Sequence, residues 1–218
     1  MNIEDIRIYR MTHIMNIAHI LKYGITHKNS RNANGNYKDI GDVSLISTRA
    51  DRTVIVDNGI AGNPDGESIV LGEFIPFYFG VKMPMLYVVQ NGGNFVESAT
   101  PPGEIIYMVC RLNDVISEYR NFYFSDGHAT DSLTCFYNSD KIRDIAGIIK
   151  WESVKAPYWG GSENLDVKRE KQAEFLIRGD ISAEMISYFG CYDNKAAGRL
   201  EKMNICRERI KIVPKAYF

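Results

Sequence analysis

The sequence predicts an α+β fold in a single domain, and three observations carry that expectation. Segments of strand character and segments of helical spacing are mixed without a regular β-α alternation. A chain of 218 residues suits one domain with a sizeable core. The polar stretch Lys28–Tyr37 has no separate core before it, so it reads as a loop within the domain and not as a linker.

Taken in order, Ile8–Met11 reads as a short strand. Asn16 can cap the helix that follows, with Ile17, Ile20 and Leu21 as its apolar stripe and Gly24 just past its end. Arg49 and Arg52 bracket Ala50-Asp51, on a charged helix face or in a loop. After Val54, the stretch DNGIAGNPDGESIVLG (57–72) reads as a loop of its own composition. Glu73–Phe79 and Ile105–Leu112 have strand character, and Pro84 suits the first turn of a short helix through Met85, Leu86 and Tyr87. Asn113–Tyr119 reads as a capped helix, FYFSD before His128 as a strand, and Ser139–Ile149 has helical spacing at Ile142, Ile145, Ile148 and Ile149. Trp151–Lys171 holds Pro157, a Gly160-Gly161 pair and many charges, which predicts a long surface loop of the kind that is often functional. Gln172–Ile177, Met185–Cys191 and Ile210–Val213 are candidate strands, with a capped helix over Asp193–Asn204.

Composition narrows the function. No apolar run approaches the roughly 20 residues of a bilayer span, and the N-terminus lacks the apolar block of a secretion signal. The expected location is the cytoplasm, with no membrane partner. The four cysteines form no C-x-x-C pair, and no His/Cys spacing suggests zinc, so no metal is expected. A net charge of −1 excludes a generally electrostatic nucleic-acid binder. A nucleic-acid site would be a local groove of arginines and aromatic rings, of which 13 Tyr and 10 Phe are available.

Four segments in order resemble the DarT family of bacterial toxins. They are Tyr9-Arg10-Met11-Thr12-His13 with the helix up to Gly24; Ile40-Gly41, Leu45-Ile46 and Arg49; Ile75–Phe79 followed by Met83–Leu86; and Gln172-Ala173-Glu174 followed by Leu176-Ile177. Asp126-Gly127-His128-Ala129 and the terminal Tyr217-Phe218 also fit. No single segment is specific; their ordered combination over nearly the whole chain is. The resemblance implies an ADP-ribosyltransferase-like fold of mixed strands with surrounding helices. It implies NAD as co-substrate, single-stranded DNA as acceptor, and a partner macrodomain antitoxin of the DarG type. Thymine is the expected base and guanine the runner-up. The same chemistry on RNA or protein, or an inactive nucleic-acid-binding module, are the other readings.

The site residues can be weighed on their chemistry beside that resemblance. Breaking the nicotinamide–ribose bond develops positive charge on the ribose, giving an oxocarbenium-like transition state that a carboxylate can stabilise. Glu174, at the head of an apolar strand, is the candidate; by pattern alone it would be a glutamate on a solvated strand face. Arg49 is placed in the catalytic site by resemblance, either as proton acceptor or as a fixed cation favouring the base anion. A guanidinium is almost never deprotonated in proteins, which favours the fixed charge. Expected to bind NAD are His13 and Thr12, Tyr78, Met85 and Arg52. Otherwise His13 would be a half-buried histidine satisfied by backbone, and Met85 an ordinary core methionine. Tyr78 should face away from Phe77 and Phe79, because strand side chains alternate. His128 could position the base or brace its loop. Trp151, Tyr158 and Trp159 could stack on bases, with Lys168 and Arg169, and also Lys155 and Lys171, on phosphates.

Overall fold

The computed structural model describes residues 2–93, 96 and 98–218. The described residues form a sheet of ten strands flanked by short helices, the α+β arrangement expected. The strands are β1 (Arg7–His13), β2 (Thr53–Val56), β3 (Glu67–Val70), β4 (Phe74–Tyr78), β5 (Ile105–Arg111), β6 (Phe122–Ser125), β7 (Phe136–Tyr137), β8 (Glu174–Arg178), β9 (Ile186–Cys191) and β10 (Ile210–Ile212). Their order across the sheet is β10-β9-β5-β1-β4-β8-β6-β7-β2-β3. Only β10–β9 and β7–β2 pair in parallel.

The helices are α1 (Ile17–Tyr23), α2 (Val43–Asp51), α3 (Pro84–Asn91), α4 (Leu112–Glu118), α5 (Ile145–Ile148), α6 (Trp151–Lys155), α7 (Leu165–Glu170) and α8 (Asn194–Glu201). Gly24 ends α1 at φ 82°, and a β-carbon there would overlap the Ile181 carbonyl, so only glycine fits. Asn16 does precede α1, but its side chain makes no cap; it bonds Thr12 Oγ1 and the Lys38 backbone instead. α2 is capped by Asp42, whose carboxylate accepts from the amides of Ser44 and Leu45. Apolar spacing could not reveal α2, because none of its residues is buried. It is held close to the sheet through Gly72, where a β-carbon would overlap the Ala50 carbonyl.

Two expectations need correction. The stretch 57–72 is not all loop: Glu67–Val70 turns back as β3 and pairs antiparallel with β2, burying Ile69. Trp151–Lys171 is not one loop either. α6 and α7 form its ends, and Ser153 Oγ hydrogen-bonds Glu170 across the gap between them. The Pro157 and glycine signals mark only the connection between these short helices.

The sheet is buried on both faces. Ile75, Phe77, Phe79, Met108 and Phe175 join the larger core on one side. Met83, Leu86, Ile105, Tyr107, Val109 and Tyr217 form a second on the other. Six consecutive residues of β5, Ile105–Cys110, are buried, as a strand covered on both faces requires.

Candidate active site

Alternation along β8 places Glu174. Phe175 and Ile177 face the larger core, so Glu174 points to the opposite side of the sheet. There it lies across from Tyr78, its register partner on β4. Tyr78 faces away from the buried Phe77 and Phe79, as the strand pattern predicts.

Glu174 has no exposed surface. Arg49, on the last turn of α2, answers its charge: Nη1 donates to Oε1 at 3.0 Å and to Oε2 at 2.8 Å. The backbone N–H of Ala129 donates to Oε1 at 3.0 Å. The Glu174 N–H donates to Ser125 Oγ at 3.2 Å, and that hydroxyl donates to the Gly127 carbonyl at 2.8 Å. A carboxylate this deeply buried requires such partners. Arg49 itself is left incomplete, because its Nη2 is buried with no hydrogen-bond partner.

A cleft of about 270 Å³ opens over this pair. Arg49 and Tyr78 line it, with Arg10, Tyr37, Met85 and His128; Glu174 lies behind Arg49 and does not reach the wall. A second cleft, of about 540 Å³, shares Asp42, Leu45, Met85 and His128 with the first and runs on past Asp131, Leu165 and Lys168. His128 stands where the two meet, its Nδ1 2.9 Å from Thr130 Oγ1. Burial favours the neutral ring and holds its pKa below the ordinary histidine value, against the opposite pull of Glu174. Burial likewise raises the Tyr78 phenol, and Glu174 adds to that.

The other expected residues divide. His13 is 3% exposed and lines neither cleft. Its Nδ1 accepts the Met15 N–H at 3.1 Å, so a neutral ring carries its proton on Nε2, 3.5 Å from Glu104. Burial and the nearby Lys38 lower its pKa. Thr12 is fully buried and meets the Tyr37 hydroxyl at 3.2 Å, so it supports a cleft residue from behind. Arg52 caps the end of α2 and lines neither cleft. Lys168 is on the wall of the second cleft.

The aromatic candidates are mostly structural. Trp151 packs edge-on against Phe79 and donates Nε1–H to the Ala146 carbonyl, so it is no free stacking platform. Trp159 lies edge-on to Phe218, with the Lys171 ammonium 5.6 Å from its ring centre. Lys171 is buried and donates to the Val154 carbonyl at 2.8 Å; it cannot reach phosphate. Arg169 is paired with Asp126 at 3.1 Å and its side chain is 13% exposed. Tyr158 alone of the three rings is freely presented, at 65% exposure. The sequence reading missed Arg10, Tyr37 and Asp42 as cleft residues, although Arg10 stands in a segment that carried the resemblance. It also missed Ser125 and the Ala129 amide, which carry no side-chain signature of their role.

A family model described as ssDNA thymidine ADP-ribosyltransferase, DarT, matches residues 9–218. The chain belongs to the DarT family. Proteins named DNA ADP-ribosyl transferase are similar to it over most of both chains. One from Escherichia coli O127:H6 is 29% identical, covering 93% of this chain and 87% of that protein. One from Thermus aquaticus is 26% identical, covering 90% and 79%. The fold matches that of Thermus sp. 2.9 DarT in complex with ADP-ribosylated ssDNA, with a TM-score of 0.80 at 24% identity, covering 99% of this chain and 97% of the other. It also matches Thermosipho africanus DarTG in complex with ADP-ribose, with a TM-score of 0.76 at 25% identity, covering 97% of this chain and 51% of that one. This DarT chain is thus a DNA ADP-ribosyltransferase. No helix among the described residues is long and apolar enough to cross a membrane. No group of three or more His, Cys, Asp or Glu among them could hold a metal ion.

Proposed function

We propose that this chain transfers ADP-ribose from NAD to thymine in single-stranded DNA, with Glu174 and Arg49 as its catalytic residues. The observation that carries this reading is the Arg49–Glu174 pair itself: a carboxylate with no exposed surface, gripped through one guanidinium nitrogen, while the other nitrogen is buried without a partner. That unmet donor, with Arg10 on the same cleft, fits an anionic or carbonyl-rich ligand such as a dinucleotide and a pyrimidine base.

Bound NAD supplies the labile nicotinamide–ribose bond. Glu174 can reach a ribose only when the Arg49 side chain shifts, because Arg49 stands between it and the cleft. The unpaired Nη2 gives that shift a direction, toward a ligand acceptor. Once uncovered, the carboxylate faces the charge that develops on the ribose and stabilises it in the transition state. Ala129 N–H keeps one carboxylate oxygen fixed throughout. Arg49 acts as a fixed cation beside the target base, favouring its anion by lowering the pKa of the ring N–H. Lys168 and Tyr158 serve the DNA strand, and His128 lies between the two clefts, where base and ribose would meet.

A macrodomain antitoxin of the DarG type is the expected partner. The reading is supported by the DarTG chain of Thermosipho africanus, only 51% of which this chain covers. The decisive experiment mixes the protein with NAD and single-stranded oligonucleotides of varied sequence and weighs the products. One added ADP-ribose only where thymine is present is the expected result. Addition to thymine-free, guanine-containing strands would replace thymine by guanine, and nicotinamide release without DNA modification would overturn the acceptor.

A further inference from the structure

The Arg169 side chain turns inward, onto the turn that holds Glu174. We infer that Arg169 is a positioning residue: paired with Asp126, it fixes the turn 125–129 and through it the catalytic carboxylate. The inference rests on Glu174 having the role proposed above.

Arg169 holds the turn at two points. Its Nη1 is 3.1 Å from Asp126 Oδ1, which also accepts the Cys135 N–H at 3.0 Å. Its own carbonyl accepts the His128 N–H at 3.0 Å. Between them sits Gly127, where a β-carbon would stand 2.5 Å from Arg169 Nη1 and 2.9 Å from its Cγ. The turn therefore lies flat on the arginine side chain, and only glycine permits that approach.

The same turn meets Glu174 at both of its polar ends. Ala129 donates to the carboxylate, and Ser125, tied to the Gly127 carbonyl, accepts from the Glu174 N–H. Any movement of the turn thus moves a carboxylate oxygen. Arg169 lines the second cleft and its Nε has no hydrogen-bond partner, but its terminal nitrogens are turned to Asp126 and, at 3.6 Å, to Glu170, so its charge is answered within the protein. A displacement of about 1 Å at a reacting group can cost on the order of a hundredfold in rate. Lysine could keep the ion pair with Asp126 but not the planar contact along Gly127.

The test measures kcat and KM separately for NAD and for a single-stranded oligonucleotide. Arg169→Met should lower kcat by roughly ten- to a hundredfold, with the oligonucleotide KM changed by less than about twofold. Arg169→Lys should fall between it and wild type. Asp126→Asn should resemble Arg169→Met, and the double variant should be no worse than the worse single, because both break one contact. A raised oligonucleotide KM with wild-type kcat would make Arg169 a phosphate contact and overturn the inference. So would single losses that multiply in the double variant. If Arg169→Met does not fold, the kcat and KM of Arg169→Lys decide by the same criteria. Glu174→Gln with near-wild-type transfer overturns the underlying site reading instead, and is recognised without any Arg169 variant.

Discussion

The Arg49–Glu174 pair sets the terms for any substitution at either position. Removing the carboxylate by Glu174→Ala strands a largely buried guanidinium and leaves the Ala129 N–H unanswered. Breaking a buried pair in this way costs about 3–5 kcal/mol. Glu174→Ala should therefore lose transfer and also unfold at lower denaturant. Glu174→Gln keeps an oxygen for Ala129 and should lose transfer with a smaller fall in stability. Urea titration beside the oligonucleotide mass assay separates the two effects; an Ala variant as stable as wild type would show that the pair is not buried in solution. Arg49 offers a sharper test. If it is a fixed cation, Arg49→Lys keeps part of the activity and Arg49→Ala almost none. The lysine variant should then slow as pH approaches the lysine pKa of roughly 10.4, because its charge is lost. A rate that instead climbs through that range, after correction for ionisation of the base, would make residue 49 a proton acceptor.

Among the elements, the proposed function assigns the presentation of DNA to the α6–α7 connection. Tyr158 stands out from it, whereas Trp159 is fastened to Phe218 and Lys171. Tyr158→Ala should weaken oligonucleotide binding by about 1–3 kcal/mol if it stacks on a base, and leave NAD affinity unchanged. Trp159→Ala should act instead through lost packing, seen as a lower melting temperature. Equal effects of both on DNA binding, without a stability change, would contradict this division. Lys171 gives the element a pH signature. Burial, with a smaller push from Lys82, lowers its pKa to about 8. Below that pH both folded and unfolded chains hold the proton, and the folded state bears the full cost of a buried charge. Between pH 8 and roughly 10.4 the unfolded chain keeps a proton that the folded chain has released, so stability rises with pH. Compared with Lys171→Met, wild type should gain stability between pH 7 and 9.5, by about 2 kcal/mol. Melting curves of both proteins across that range check it, and a constant difference would mean that Lys171 titrates normally.

For the molecule as a whole, the balance of charge favours single strands read locally. The net charge is −1, and the clefts mix Arg10, Lys28, Arg49, Lys168 and Arg169 with Asp39, Asp42, Asp131 and Asp166. Binding should therefore weaken only gently with salt, with a log–log slope smaller than about 3 in magnitude, since each phosphate neutralised on a single strand adds about 0.7. Fluorescence anisotropy over a salt series measures it, and a much steeper slope would reveal an extended basic track. Duplex DNA of the same sequence should not be modified. Extruding a paired base costs a few kcal/mol, and neither cleft offers a long cationic surface to offset that. Equal modification of duplex and single strand would refute this.

The sequence by itself determined the α+β class, the strands that build the middle of the sheet, and the family. Those rest on local signals: the apolar runs of β4, β5 and β8, the glycine that ends α1, and ordered segments along nearly the whole chain. It also placed Tyr78 opposite Phe77 and Phe79, because alternation in a strand needs only neighbours. Only the tertiary structure decided what each charged or aromatic group does. Arg49 and Glu174 are 125 residues apart and meet because β8 runs beside β4 while α2 lies over that edge of the cleft. Trp151 and Lys171 look like DNA contacts in sequence, where a loop rich in rings and cations cannot be told from two short helices folded onto them. Burial and pairing are properties of the assembled chain. The same side chain can stack on a base or brace a turn, depending on which surface its helix turns inward.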